Sequence, residues 1–312
     1  MIIPKSHRII GSKNVQTRVL ADGVLVSFGG NISIAPEPPE IADIDLTALT
    51  LDPRVTYTGP AHTYFDSNGQ FAISAANEWP LEYVNGVAVG RSEPEPESKN
   101  YQLDSAFSSI SETQQGEDTA WITSQSAGVT VSQPDDGTFF GIETNKPGWE
   151  LIGVFSEGTG AFIVPATDTP VDNSWTVANR TFTNPSLARI RFYIARLDSQ
   201  NYVYGRVPDL PVGDYIATVW RELTSEGFVQ CRASQIEPGT FSTSPIFNEA
   251  TAQNTRAASS VTITNPGPAT GITVQYSDGN TASISFVNDV ATLPLMNQTW
   301  GSRYITRISF EV

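Results

Sequence analysis

Along most of this chain apolar and polar residues alternate in steps of two, the period of a half-buried β-strand. Arg189-Ile190-Arg191-Phe192-Tyr193-Ile194 shows it most cleanly: Ile190, Phe192 and Ile194 share one face, Arg189 and Arg191 the other. Asp45 to Thr58, Gly271 to Tyr276, Ala282 to Phe286 and Ile308 to Val312 repeat the pattern. Leu151-Ile152-Gly153-Val154-Phe155 is almost continuously apolar and reads as a central strand. Asp22-Gly23, Asn68-Gly69 and Asp278-Gly279-Asn280 punctuate the runs, and these pairs readily take the positive φ of tight hairpins. Short strands between Gly/Pro turns predict an all-β chain. Its centre reads as a jelly-roll-like β-sandwich, flanked by small β-rich N- and C-terminal units.

Shifts in the text divide the chain. Residues 1–43 form an opening unit that ends in Pro36-Glu37-Pro38-Pro39-Glu40, too proline-rich for a ladder or helix and so a stiff spacer. Residues 44–100 read as a hairpin-rich connecting segment. Residues 101–250 carry the sandwich, with short strands at Ala120-Trp121-Ile122 and Gly128 to Val131. Its closing stretch, Phe228 to Ile246, stops at Glu237-Pro238-Gly239. Residues 251–312 are a polar linker and a small β unit, expected to lean on the sandwich or on another chain because it is small for an independent domain.

Composition narrows the function. Of 312 residues 39% are apolar and 16% charged, so cores can form and a disordered acidic tail is excluded. The net charge of −15 repels phosphate backbones, which argues against nucleic acid, and favours solubility. A lone cysteine, Cys231, excludes an intrachain disulfide and reads as a small buried hydrophobe within a strand. The opening MIIPKSHRII lacks the apolar core of a signal peptide, and no apolar run approaches the ~18 residues that span a bilayer. Synthesis in the cytoplasm and no membrane span are the expectations.

Catalytic chemistry finds little purchase. The two histidines, His7 and His62, fall in different units, and Cys and His are too few for the usual zinc sites. Nucleophile elbows, phosphate loops and dinucleotide fingerprints are missing from the sequence. Paired carboxylates remain open, since a glycosidase needs only two acids, and Asp135, Asp136, Glu143, Glu150, Glu157 and Asp168 lie in the sandwich. A structural calcium is compatible with such a sandwich, but no spacing identifies one and no cofactor is implied. Sugar recognition wants an aromatic platform beside polar side chains. Trp149, Asn173, Trp175, Tyr202 and Tyr204 have that composition, near Gly/Pro/Asn-rich turns or in short polar runs. The same rings also serve as core or strand-pairing residues, and Arg189, Arg191 and Arg196 read as a solvated face that blunts aggregation, with a docking surface for an acidic neighbour or an anionic sugar as the alternative.

Several motifs together resemble structural proteins of tailed bacteriophages and prophages. They are Asp52-Pro53-Arg54-Val55-Thr56-Tyr57-Thr58, the Tyr64-Phe65-Asp66-Ser67-Asn68-Gly69 hairpin, and Ala75-Ala76-Asn77-Glu78-Trp79-Pro80. Trp121, Val129-Thr130-Val131 and Pro134-Asp135-Asp136-Gly137-Thr138 follow in the family's order. Gln235-Ile236-Glu237, Gly239-Thr240-Phe241, Thr243-Ser244-Pro245-Ile246 and Thr255-Arg256-Ala257-Ala258 close the match, whereas Pro94 to Glu97 is an insertion that departs from it. The resemblance covers Ile44 to about Ala258 and implies a virion location, on tail or capsid, with a carbohydrate-binding-module-like sandwich turned outward. It implies other virion proteins and a host-surface polysaccharide as partners, and homotrimers, although no heptad stretch would hold a trimeric stalk. The opening unit is the candidate for attachment to the particle. A non-enzymatic glycan binder or decoration protein is the leading expectation. A polysaccharide-degrading tail enzyme and a purely architectural adaptor are the alternatives.

Overall fold

The computed structural model describes residues 17–19, 25–27, 41–107, 110–111, 121–124, 129–132, 141–144, 151–168, 175–196, 202–223, 229–249 and 251–312. These carry strands and turns and no helix, the all-β class that the alternation predicts. Two compact units are resolved, residues 1–41 with Val312, and residues 42–311. In the first, Thr17–Val19 pairs antiparallel with Leu25–Ser27, Val19 opposite Leu25. The proline-rich spacer lies outside the described residues.

In the larger unit, the described strands between residues 110 and 238 build two sheets. One runs, in spatial order, Ile110–Ser111, Trp121–Ser124, Tyr202–Leu210, Ala188–Arg196, Leu151–Ser156, Ala161–Asp168. The other runs Val129–Ser132, Gly141–Thr144, Val229–Pro238, Gly213–Leu223, Trp175–Asn184. Their facing sides share a core in which Val154, Ile190 and Phe192 meet Phe182, Ala217, Val219 and Ile236. Leu151–Ser156 has a partner on each side, central as its apolar run predicts. Cys231 is buried in this core, and burial pushes its thiol up to about 12, so it packs as an apolar group. A bulge opposite Trp220 and Arg221 resets the facing of Val229–Pro238. Cys231 points into the sandwich, Ala233 points out beside Trp220, and Ile236 points in again.

The separate units expected at 44–100 and 251–312 are one module, and this corrects the sequence reading. Val55–Thr58 pairs with Ser260–Thr264, Tyr57 opposite Val261. Ile44–Asp45 and Val87–Ser92 both pair with Tyr304–Glu311. A single core results, in which Ile44, Leu46 and Trp79 pack with Val261, Ile272, Val274 and Ile308. Each half presents a sheet with one apolar face, and only the other half covers it. The sandwich is therefore an insertion in a base module built from both flanks of the chain.

The chain leaves and re-enters the base through a neck, where Ser98–Lys99 pairs antiparallel with Thr255–Arg256. Next to it, the edge of Val229–Pro238 beyond Gln230 is covered by residues 100–105 rather than by a strand. The Tyr101 N–H donates to the Ile236 carbonyl at 2.8 Å and the Ser234 N–H to the Ser105 carbonyl at 3.0 Å. Asn100 is the hub. Its Nδ2 donates to the Ser234 and Ile246 carbonyls, and its Oδ1 accepts from the Gln102 and Ile236 N–H groups. Asn248 Nδ2 donates in turn to the Asn100 and Gln102 carbonyls. The Glu237 carboxylate accepts from the Ser98 and Thr243 hydroxyls, the Gln235 amide and the Thr243 N–H. Burial raises its pKa, and those donors work against the rise. Glu95 accepts from the Ser244 N–H and hydroxyl and faces Arg256. The closing stretch from Gln235 to Ile246 is thus a polar clamp between insert and base, and the segment Pro94 to Glu97 contributes Glu95 to it.

The base also covers one outer face of the sandwich. Trp220 and Ala233, facing outward from the five-stranded sheet, pack with Met296 and Trp300, bordered by Phe65, Phe71, Phe241 and Phe247. Trp300 stacks on Phe65 at 5.1 Å between centroids. Glu82 is buried here and accepts from the Phe65 N–H at 2.9 Å and from the Trp300 indole N–H at 3.3 Å. Burial pushes its carboxyl up to about 8. The outer face of the six-stranded sheet is the sandwich face left outside this contact.

Candidate functional site

Period-two alternation determines what that face displays. With Ile190, Phe192 and Ile194 directed into the core, Arg191 and Tyr193 are directed outward. In the neighbouring strand Val203 and Val207 face in, so Tyr202, Tyr204 and Arg206 face out. Phe155 and Phe162, directly opposite each other in their ladder, complete the row.

The five rings form one aromatic cluster. Phe155 meets Phe162 edge-on at 5.3 Å, and Phe162 meets Tyr193 at 5.5 Å. Tyr193 lies 5.0 Å from Tyr204 and 6.3 Å from Tyr202, and Tyr202 lies 5.4 Å from Tyr204. Tyr193 and Tyr204 are buried within the cluster, while Phe155, Phe162 and Tyr202 are half-buried and form its outer rings. The Arg191 guanidinium stands 5.5 Å from the Phe155 ring centre and 5.1 Å from that of Tyr204.

Glu157 organises the charge. It accepts from Arg191 Nε at 2.7 Å and lies 3.7 Å from Arg189 Nη1. Burial works against the Arg191 charge, and hydrogen bonds to Glu157 and Tyr193 outweigh it, so its pKa ends above the usual value. Burial raises the Tyr204 phenol, with Arg191 opposing the rise. Apolar ring faces beside phenol hydroxyls and an oriented guanidinium are the groups that match the C–H faces and hydroxyl edges of a sugar.

The residues expected at a ligand site are not all brought together. Tyr202 and Tyr204 sit on this face, two residues apart on one strand. Trp175 begins a strand of the other sheet, its backbone opposite Glu222. Trp149 and Asn173 lie outside the described residues. Reasoning from the sequence missed Phe155, Phe162 and Tyr193. The signal was present in Arg189 to Ile194: the parity that directs Phe192 inward also directs Tyr193 outward, beside the two arginines. Arg189 and Arg191, expected on a solvated face, share an ion-pair partner in Glu157.

Of the acids weighed for hydrolysis, Glu157 is engaged by these arginines, and Asp135, Asp136 and Glu150 lie outside the described residues. Among the described residues no group of three or more His, Cys, Asp or Glu is arranged to hold a metal, and no helix is long and apolar enough to cross a membrane. Comparison of the chain with protein-family models, curated proteins and solved structures finds no match.

Proposed function

We propose that this chain is a non-enzymatic structural protein of a tailed-phage virion, whose inserted sandwich binds a host-surface glycan on the outer face of its six-stranded sheet. One observation carries the site: the base buries the outer aromatic face of one sheet, while the other sheet's outer face gathers Phe155, Phe162, Tyr193, Tyr202 and Tyr204 around an oriented arginine. Support for the virion setting comes from the phage-like motifs, several of which form the base and the clamp that hold the insert. Arg191 and Arg189 already share Glu157, so the ligand this face suits best is a neutral or weakly charged sugar that stacks on the outer rings.

The test is a binding titration of the protein against purified host polysaccharide. Tyr202→Ala and Phe155→Ala each remove one outer ring and should weaken binding at least tenfold, since tenfold is about 1.4 kcal/mol and truncating a hot-spot aromatic costs about 2 kcal/mol or more. The circular dichroism spectrum should be unchanged. Release of reducing ends during the titration would overturn the non-enzymatic reading. Binding that both variants retain in full would overturn the site.

A further inference from the structure

Among the described residues, Thr281–Ser285 is the outermost strand of the base's larger sheet and pairs on one side, with Gly271–Tyr276. At the two ends of this ladder the Tyr276 N–H bonds the Asn280 carbonyl and the Phe286 N–H bonds the Thr270 carbonyl. Antiparallel pairs alternate between bonded and non-bonded. Residues 282 and 284 therefore turn their backbone groups toward the neighbouring strand, and Thr281, Ser283 and Ser285 turn theirs outward.

Two edges of the sandwich are protected against pairing. Ala161–Asp168 contains Pro165 and a register irregularity, and Trp175–Asn184 contains Arg180. Thr281–Ser285 has no charge, proline or bulge. Thr281, Ser283 and Ser285 are small and exposed, while Ala282 and Ile284 are half-buried at the margin of the base core. Just beyond them, Val287 is 69% and Val290 39% exposed.

We propose that this edge joins a second copy of the chain, strand to antiparallel strand, about a two-fold axis at Ser283. In that register Ser283 faces its own counterpart and Thr281 faces Ser285, so the outward N–H and C=O groups of both strands pair. Ala282 then faces the partner's Ile284 in a non-bonded pair, the type in which side chains come closest. Each large residue meets a small one, twice, and a copy of the strand supplies that match by symmetry. The uncharged strand brings no like charges together at the axis. The turns carrying Asp278 and Asp289 come level with each other at the two ends, so added salt should strengthen association.

The test is sedimentation of the full chain over a range of protein and salt concentrations. A reversible dimer that tightens with salt is expected. Ser283→Pro removes an outward N–H without touching the ladder to Gly271–Tyr276, and should weaken the dimer at least tenfold with an unchanged circular dichroism spectrum. Thr281→Lys places a charge at the same edge and should act alike if the proline variant misfolds. Cys231 is buried, so Ser283→Cys adds one accessible thiol, and a short bis-maleimide should yield a single covalent dimer. A monomer at all concentrations, a trimer, or a dimer indifferent to both edge variants would overturn the proposal.

Discussion

Glu95 and Arg256 approach to 3.0 Å, each with its side chain only 6% exposed, and they close the neck from opposite ends of the inserted sandwich. A buried ion pair adds little over a well-packed apolar pair, but losing one partner leaves a charge without compensation. Arg256→Met or Glu95→Gln should therefore cost about 3–5 kcal/mol. The double variant should cost less than the sum of the two. Urea unfolding of the four proteins measures this directly, and strict additivity would show that the pair is not coupled.

Asn100 satisfies four buried groups at once, two carbonyls and two N–H groups. Asn100→Ala leaves all four without their partner, at a cost of at least about 2 kcal/mol. Asn100→Asp should do no better, because it points a carboxylate oxygen at the Ser234 and Ile246 carbonyls. Unfolding midpoints of the two variants check this, and an aspartate variant as stable as wild type would remove Asn100 from its place as hub.

Gly90 is held at φ +123°, and an added Cβ would lie 2.3 Å from the Ile305 carbonyl oxygen. Backbone meets backbone here, so no side chain can move aside. Gly90→Ala should prevent the base from folding. Gly279, at φ +85° with nothing within 4 Å, is the control, and its alanine variant should cost only about 1–2 kcal/mol, the penalty for a left-handed residue. Soluble yield and thermal melts of both variants decide.

Elements were legible where local pattern sufficed. The alternation of Arg189 to Ile194 placed Ile190, Phe192 and Ile194 in the core, and Asn68-Gly69 and Asp278-Gly279 marked hairpins that form. Partnership was less legible. Nothing in the local text of Asp52 to Thr58 says that its strand pairs with Ser260–Thr264, because any strand with one apolar face can accept any other. Pro94 to Glu97 reads only as a departure from the phage-like pattern, and nothing in its prolines and acids says that Glu95 is buried. Burial of Glu95 depends on Arg256, which is distant in sequence and adjacent only once the neck closes. The aromatic face was half visible: Tyr202 and Tyr204 share a strand, but Phe155 and Phe162 join them only through sheet order.

Glu82 gives the base a pH dependence of defined sign. Its carboxyl ordinarily titrates near 4.5 and is pushed up to about 8 by burial, against the N–H groups of Phe65 and Trp300 that favour the charged form. Below the ordinary value both folded and unfolded chains carry the proton, and Glu82 adds no penalty. Between 4.5 and about 8 the folded chain keeps a proton that the unfolded chain has released, so stability falls as pH rises. The slope for one such group is about 1.4 kcal/mol per pH unit, and it levels off above the folded-state value. Glu82→Gln stays neutral and keeps an oxygen for the Phe65 N–H, so it should lack this slope. His62, whose pKa is lowered by burial, titrates with the opposite sign in part of the same range. It is present in both proteins and cancels from their difference. Urea unfolding of wild type and variant at steps from pH 5 to 8 should show the difference moving steadily in the variant's favour. A difference constant with pH would mean that Glu82 ionises at its ordinary value inside the folded base.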